Sequence, residues 1–174
     1  MRGCFVTWCV GPALFLAAAA AAQTWTEYRP ENGRYQVEMP GTPTVSTESV
    51  QVGAGKTVSM TAATVKVTNT VYLVSYTDYP YTAVRGVSAD ALLDRERERA
   101  SSSAGHALRS EERLAMGPYP GREYVVVKAD GANIVTRTYW VRGRLYHLVV
   151  AGRSGIENEP DTRRFFESFE LIPQ

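Results

Sequence analysis

Cysteine is scarce in this chain: the two present, Cys4 and Cys9, both fall within residues 1–22. Residues 23–174 therefore have no thiol for a disulfide, a nucleophile or a metal ligand, and a domain there must be stable through its core. Histidine is nearly as rare, with His106 and His147 far apart, so no paired-histidine metal motif exists. An excess of one charge is missing too. Setting Arg2 aside leaves 18 basic and 18 acidic residues, a balance that gives no support for a nucleic acid or an anionic membrane surface as partner. A phosphate-cradling glycine loop and a nucleophile elbow are also absent from the sequence. Nothing in these patterns calls for a metal or a cofactor, and no residue stands out as catalytic. After residue 22 there is no internal repeat, low-complexity tract or dividing linker.

Residues 1–22 read as a targeting segment. Arg2 supplies the positive end, an apolar stretch runs through Val10 and Leu14-Phe15-Leu16, and Ala20-Ala21-Ala22 offers a small-residue cleavage pattern before Gln23. An uncleaved anchor is the rival reading, because the uncharged run from Gly3 to Ala22 is about long enough to span a bilayer. Gly11-Pro12 and the polyalanine end favour cleavage, which would leave no stable membrane insertion. Neither cysteine sits directly after the apolar run, where a lipoprotein cysteine would. The expectation is an exported protein, periplasmic or secreted, with one domain over 23–174; about 150 residues suffice for one core.

The most regular stretch runs from Gly121 to Ala151. Asp130-Gly131 and Arg142-Gly143 separate three runs rich in valine, threonine and tyrosine, the pattern of two successive hairpins. Two-residue turns at both places set a register, and register decides which side chains share a face. One face then collects Glu123, Val125, Val127, Ile134, Thr136, Thr138, Trp140, Leu145, His147 and Val149. The other collects Arg122, Tyr124, Val126, Val135, Arg137, Tyr139, Tyr146, Leu148 and Val150. Neither is polar enough to be left to water, so both need cover. Upstream lies a meander of strands with a polar edge strand over 45–52. Ser88 caps a helix whose inward stripe includes Leu92, Leu93, Glu96 and Ala100. Asn158 is placed to cap a last helix carrying Phe165, Phe166 and Phe169.

Gly33-Arg34-Tyr35…Met39-Pro40-Gly41, Pro120-Gly121-Arg122-Glu123, Gly143-Arg144-Leu145-Tyr146 and Phe165-Phe166-Glu167-Ser168-Phe169 recur in an order that resembles a group of small exported bacterial proteins of unknown function with a PsbP-like fold. The resemblance implies an α+β fold in which an antiparallel sheet is covered on both faces by helices and loops, an α/β/α sandwich. It also implies a partner-binding role, since that fold hosts an extrinsic photosystem subunit and a nuclear GTPase-binding protein. Shared fold is an analogy for function and no more.

The candidate sites follow from the register. Glu123, Thr138 and His147 fall in one row across three strands. That row suits acid–base chemistry in a small periplasmic hydrolase or isomerase, or a satisfied polar network. Arg122, Tyr139 and Tyr146 line up on the opposite face, with Tyr124 beside Arg137. They suit an anionic or flat ligand, or simple cation–π packing. Tyr79, Tyr81, Arg85 and Tyr119 sit in loops, where such residues serve either as interface anchors or as plugs over the sheet. Glu157, Glu159 and Asp161 match no calcium loop, and His106 suits a helix C-terminus. The expectation is a non-enzymatic binding or accessory protein of the cell envelope, its partner protein or small ligand unidentified.

Overall fold

Runs of β-branched and aromatic residues become ten strands among the described residues. A computed structural model describes residues 24–52 and 56–173; the expected targeting segment 1–22 and its cleavage point lie outside the described residues. The strands are β1 (Thr26–Tyr28), β2 (Tyr35–Met39), β3 (Thr44–Val52), β4 (Lys56–Val67), β5 (Thr70–Asp78), β6 (Ala107–Met116), β7 (Tyr119–Val127), β8 (Asn133–Val141), β9 (Arg144–Gly152) and β10 (Glu170–Leu171). Three helices join them: α1 (Tyr81–Val84), α2 (Ala89–Ser101) and α3 (Pro160–Glu167). Seven strands pair antiparallel in the order β3-β4-β5-β9-β8-β7-β6, and β1-β2-β10 make a separate three-stranded sheet. The polar strand over 45–52 is an edge, as expected, and β6 is the other.

One hairpin departs from the expected register. Val127 lies opposite Asn133, Glu123 opposite Arg137 and Arg122 opposite Thr138. The loop holds three residues rather than two. Gly131 N–H donates to the Lys128 carbonyl at 2.9 Å and Lys128 N–H donates to the Ala132 carbonyl at 2.8 Å. Asp130 Oδ1 accepts from Ala132 N–H at 3.0 Å, and Gly131 has φ 82°. This is a type I turn closed by a left-handed glycine bulge, which uses the same Asp-Gly pair as a two-residue turn but adds Ala129. One extra residue turns all of β7 over relative to β8. The β8–β9 turn is the expected two-residue one, with Arg142 at φ 50° and Gly143 at φ 89° and Val141 opposite Arg144.

The corrected faces explain the core. Val125, Val135, Tyr139, Tyr146, Leu148 and Val150 pack with Tyr72 and Val74 against Tyr35, Val37 and Met39 of the small sheet and against Phe165, Phe166 and Phe169. Burying each of these large side chains stabilises the fold by about 1.5–3 kcal/mol. Phe169 stacks on Tyr139 with ring planes 4° apart. Cover on this face is therefore a sheet plus one short helix, where helices and loops were expected. Pro160 occupies the first turn of α3, and Glu159 rather than Asn158 stands at its N-cap, without a side-chain bond.

The opposite face takes α2 across β7 and β8. Ser88 Oγ accepts from Ala91 N–H at 3.1 Å and starts the helix, while His106 Nδ1 lies 3.0 Å from the Ala100 carbonyl at its end. Leu92 and Leu93 are buried beneath it. Arg122, 2% exposed, reaches Asp90 at 2.6 Å, Asp94 at 3.3 Å and Glu111 at 3.4 Å. Beyond the helix, Leu73, Ile134 and Val149 stay half-exposed, so cover there is partial.

Candidate functional site

The turned β7 dismantles the row Glu123, Thr138 and His147. Glu123 faces the α3 side, where its carboxylate takes Arg137 Nε at 2.5 Å. Thr138 and His147 do lie opposite each other, under α2, with Arg122 on the far side of Thr138. The carboxylate that approaches His147 is Glu96 of α2, 3.7 Å from Nε2. Arg99 Nη1 bonds both Glu96 oxygens at 3.1 Å. Burial, then the nearby Arg99 charge, pushes the His147 imidazole down to about 4. Burial raises the Glu96 carboxyl, while Arg99 and the Tyr79 hydroxyl draw it back. Both causes act in the same direction, so His147 is neutral at pH 7. Thr138, fully buried, leaves Oγ1 without a hydrogen-bond partner.

The row Arg122, Tyr139 and Tyr146 is likewise divided. Tyr139 and Tyr146 stand opposite each other and pack on Phe169, whereas Arg122 points to the α2 face. Tyr124 lies opposite Thr136 rather than beside Arg137. Among the loop residues, Tyr79 folds back edge-on to Trp140, with ring centroids 5.4 Å apart, and acts as a plug. Burial and then Glu96 push its hydroxyl up to about 12. Tyr81 opens α1 rather than lying in a loop and is 73% exposed, Arg85 just past that helix is also exposed, and Tyr119 is the first residue of β7.

Tyr119 and Tyr146 meet in a cleft of about 280 Å³ with Arg34, Val141, Arg142, Arg144, Leu171, Ile172 and Pro173. It opens where the β8–β9 turn, the start of β7 and the C-terminal strand converge. Arg144 braces it. Buried at 5% exposure, its guanidinium bonds Asp78 at 2.6 and 2.7 Å and the carbonyls of Asn32 and Gly33 at 2.8 Å. It also lies 4.4 Å over the Tyr76 ring. Burial disfavours the Arg144 charge, but Asp78 and Tyr146 more than offset this and hold its pKa above the ordinary arginine value. In return the Arg144 bond lowers Asp78. Tyr146 Oη donates to the Gly33 carbonyl at 2.9 Å, and Ile172 N–H donates to the Arg34 carbonyl at 3.0 Å. These bonds fix the turn carrying Arg34 to both β9 and the C-terminal strand.

Arg34 and Arg142 are exposed on the rim, and among the described residues neither has an acidic partner within 4 Å. Both adopt left-handed backbone, at φ 59° and 50°, a conformation that costs a residue with a side chain about 1–2 kcal/mol. Arg142 lies 6.0 Å over the Tyr119 ring. Of the expected binding residues, then, Tyr119 and Tyr146 belong to one cleft, and Tyr79, Tyr81, Arg85, Arg122 and Tyr139 do not line it. The three arginines were missed. Their trace in the sequence is Gly33-Arg34 and Arg142-Gly143, arginine at turn positions where asparagine is the ordinary choice.

No protein-family model matches the chain, and no curated protein sequence matches it. Among solved structures, cyanobacterial PsbP (CyanoP) from Synechocystis aligns with a TM-score of 0.57 at 15% identity, covering 91% of this chain and 98% of that one. A Pseudomonas aeruginosa protein of unknown function aligns with a TM-score of 0.47 at 12% identity, covering 86% of this chain and 97% of that one. At 15% identity the likeness to CyanoP speaks for the fold alone: a mostly antiparallel, PsbP-like fold.

Proposed function

We infer that this protein is an exported, non-catalytic binding or accessory module of the cell envelope. Its binding site is the cleft between the β8–β9 turn and the C-terminal strand. The single observation behind this reading is the combination of a braced concavity with two rim arginines that, among the described residues, have no acidic partner within 4 Å. Arg144 and Tyr146 lock the floor and one wall, so the site needs little ordering when it is filled, which favours binding. The scaffold, in this reading, is an α/β/α sandwich of the PsbP-like kind, and export rests on the character of residues 1–22. Glu96, held by Arg99 and Tyr79 with His147 3.7 Å away, belongs to a structural cluster beneath α2 rather than a second site.

Titration of the isotope-labelled protein with fractionated envelope extract, followed by amide chemical shifts, tests this. Shifts confined to Arg34, the 141–146 hairpin and residues 171–172 are expected. Shifts centred on Tyr81 or on the exposed edges β3 and β6 would overturn the assignment of the site. Conversion of an extract component, abolished by His147→Gln, would overturn the non-catalytic role.

A further inference from the structure

We propose that the ligand of this cleft is a small amphipathic anion, a carboxylate or phosphate monoester carried on one ring or a short apolar chain. This rests on the cleft being the binding site, and adds what the site selects. Charge comes first. Arg144 is spent on Asp78, whose carboxylate also feels Arg34, but Arg34 and Arg142 flank the opening with no acidic partner within 4 Å among the described residues, so three cations meet one carboxylate and the net field is positive. A planar guanidinium on each side matches an oxyanion by paired N–H bonds. The neighbouring concavity shares Arg34, Ile172 and Pro173 but carries Glu31 beside Arg29, so the anionic end belongs in the first.

The lining supplies the second requirement. Val141, Leu171, Ile172 and Pro173 are apolar, and the ring of Tyr119 adds flat surface. An inorganic ion would leave that surface wet, whereas an apolar body would cover it. A volume of about 280 Å³ lies near the lower end of small-molecule sites, roughly 300–1,000 Å³, which limits the body to about one ring or a short chain. The backbone supplies the third. Of the three non-glycine residues with left-handed backbone among the described residues, Arg34, Thr68 and Arg142, the two arginines rim this cleft, at positions that glycine or asparagine would fill at less strain. Strained side chains of this kind cluster at sites where they do work.

The test uses the purified protein, calorimetry and amide shifts, with four probes: 2-naphthoate, 1-naphthyl phosphate, neutral 2-naphthamide and inorganic phosphate. One or both aryl anions should bind at the cleft, at least tenfold more tightly than either the amide or inorganic phosphate. Which of the two binds more tightly assigns carboxylate or phosphate. Arg34→Asn and Arg142→Asn should each weaken the aryl anion at least fivefold while melting no lower than the parent, a separation that a merely structural role cannot give. Equal binding of the amide, tighter binding of inorganic phosphate, or undiminished binding by both variants would overturn the proposal. If neither aryl anion binds yet envelope extract still perturbs the cleft, the ligand class is wrong and the binding module stands. If neither perturbs it, both fall.

Discussion

Replacing His147 with glutamine should flatten the acid limb of the stability curve. In the native fold the imidazole is pushed from an ordinary 6.5 down to about 4, first by burial and then by Arg99. Between those values the unfolded chain binds a proton that the native fold does not, so stability falls as pH falls through that window. At about 1.4 kcal/mol per pH unit, the full interval would cost roughly 3 kcal/mol. The His147 side chain keeps 18% exposure, and water reaching it trims the effect to about 1–2 kcal/mol. Glu96 works the other way: its raised carboxyl holds a proton in the native state after the unfolded one has lost it, so it lowers stability as pH rises above the ordinary carboxylate range. Urea unfolding followed by tryptophan fluorescence, at steps from pH 7 to pH 4, separates the two. His147→Gln should lose the decline between about 6.5 and 4, and Glu96→Gln should steepen the net decline by removing the opposing contribution. An unchanged slope in His147→Gln, or an imidazole titrating near 6.5 by NMR, would refute the burial argument.

Other outcomes follow from the same geometry. Asp78→Ala should destabilise by about 3 kcal/mol, because it leaves the buried Arg144 charge without its carboxylate, while Arg144→Met should cost less, since the 63% exposed Asp78 returns to water. Denaturant midpoints of the two single variants and the double variant test this ordering; purely additive costs would contradict it. Phe169→Ala removes the ring that Tyr35, Tyr139 and Tyr146 all touch and should cost about 3–5 kcal/mol in the same assay. Deleting Ala129 should leave Asp130-Gly131 as a two-residue turn with Lys128 still paired to Ala132. Stability should then change by less than about 1 kcal/mol, with β7 amide shifts preserved.

The architecture was legible wherever local chemistry and tertiary demand agreed. The polar run over 45–52 could sit only at an edge, and Ser88 had no better role than the helix cap it fills. The three phenylalanines near the end were too large to stay wet, and all three are buried. Legibility failed at Asp130-Gly131 because one dipeptide serves two turn geometries. Choosing between them depends on whether the Asp130 carboxylate reaches Ala132 N–H, which no pattern of hydrophobicity records. Since faces alternate with period two, that single residue exchanged the faces of Glu123 and Arg122 relative to β8 and β9 and broke both expected rows.

The cleft was hidden for a different reason. Its walls come from residue 34, residue 119, the 141–146 hairpin and residues 171–173, so no spacing along the chain could reveal it. What survives locally is a mismatch between residue and conformation: two arginines in left-handed turns. Glu96 is the same kind of signal on the other face, a carboxylate in the inward stripe of α2 where leucine or alanine would pack at less cost. There the mismatch is resolved by Arg99 and Tyr79, both within the fold. At Arg34 and Arg142 the answer among the described residues is partial: Asp78 feels the Arg34 charge, and Arg142 lies 6.0 Å over the Tyr119 ring. A charge whose mismatch is answered internally belongs to the scaffold, whereas one only partly answered at the mouth of a braced, apolar concavity is the signal on which the proposed binding site rests.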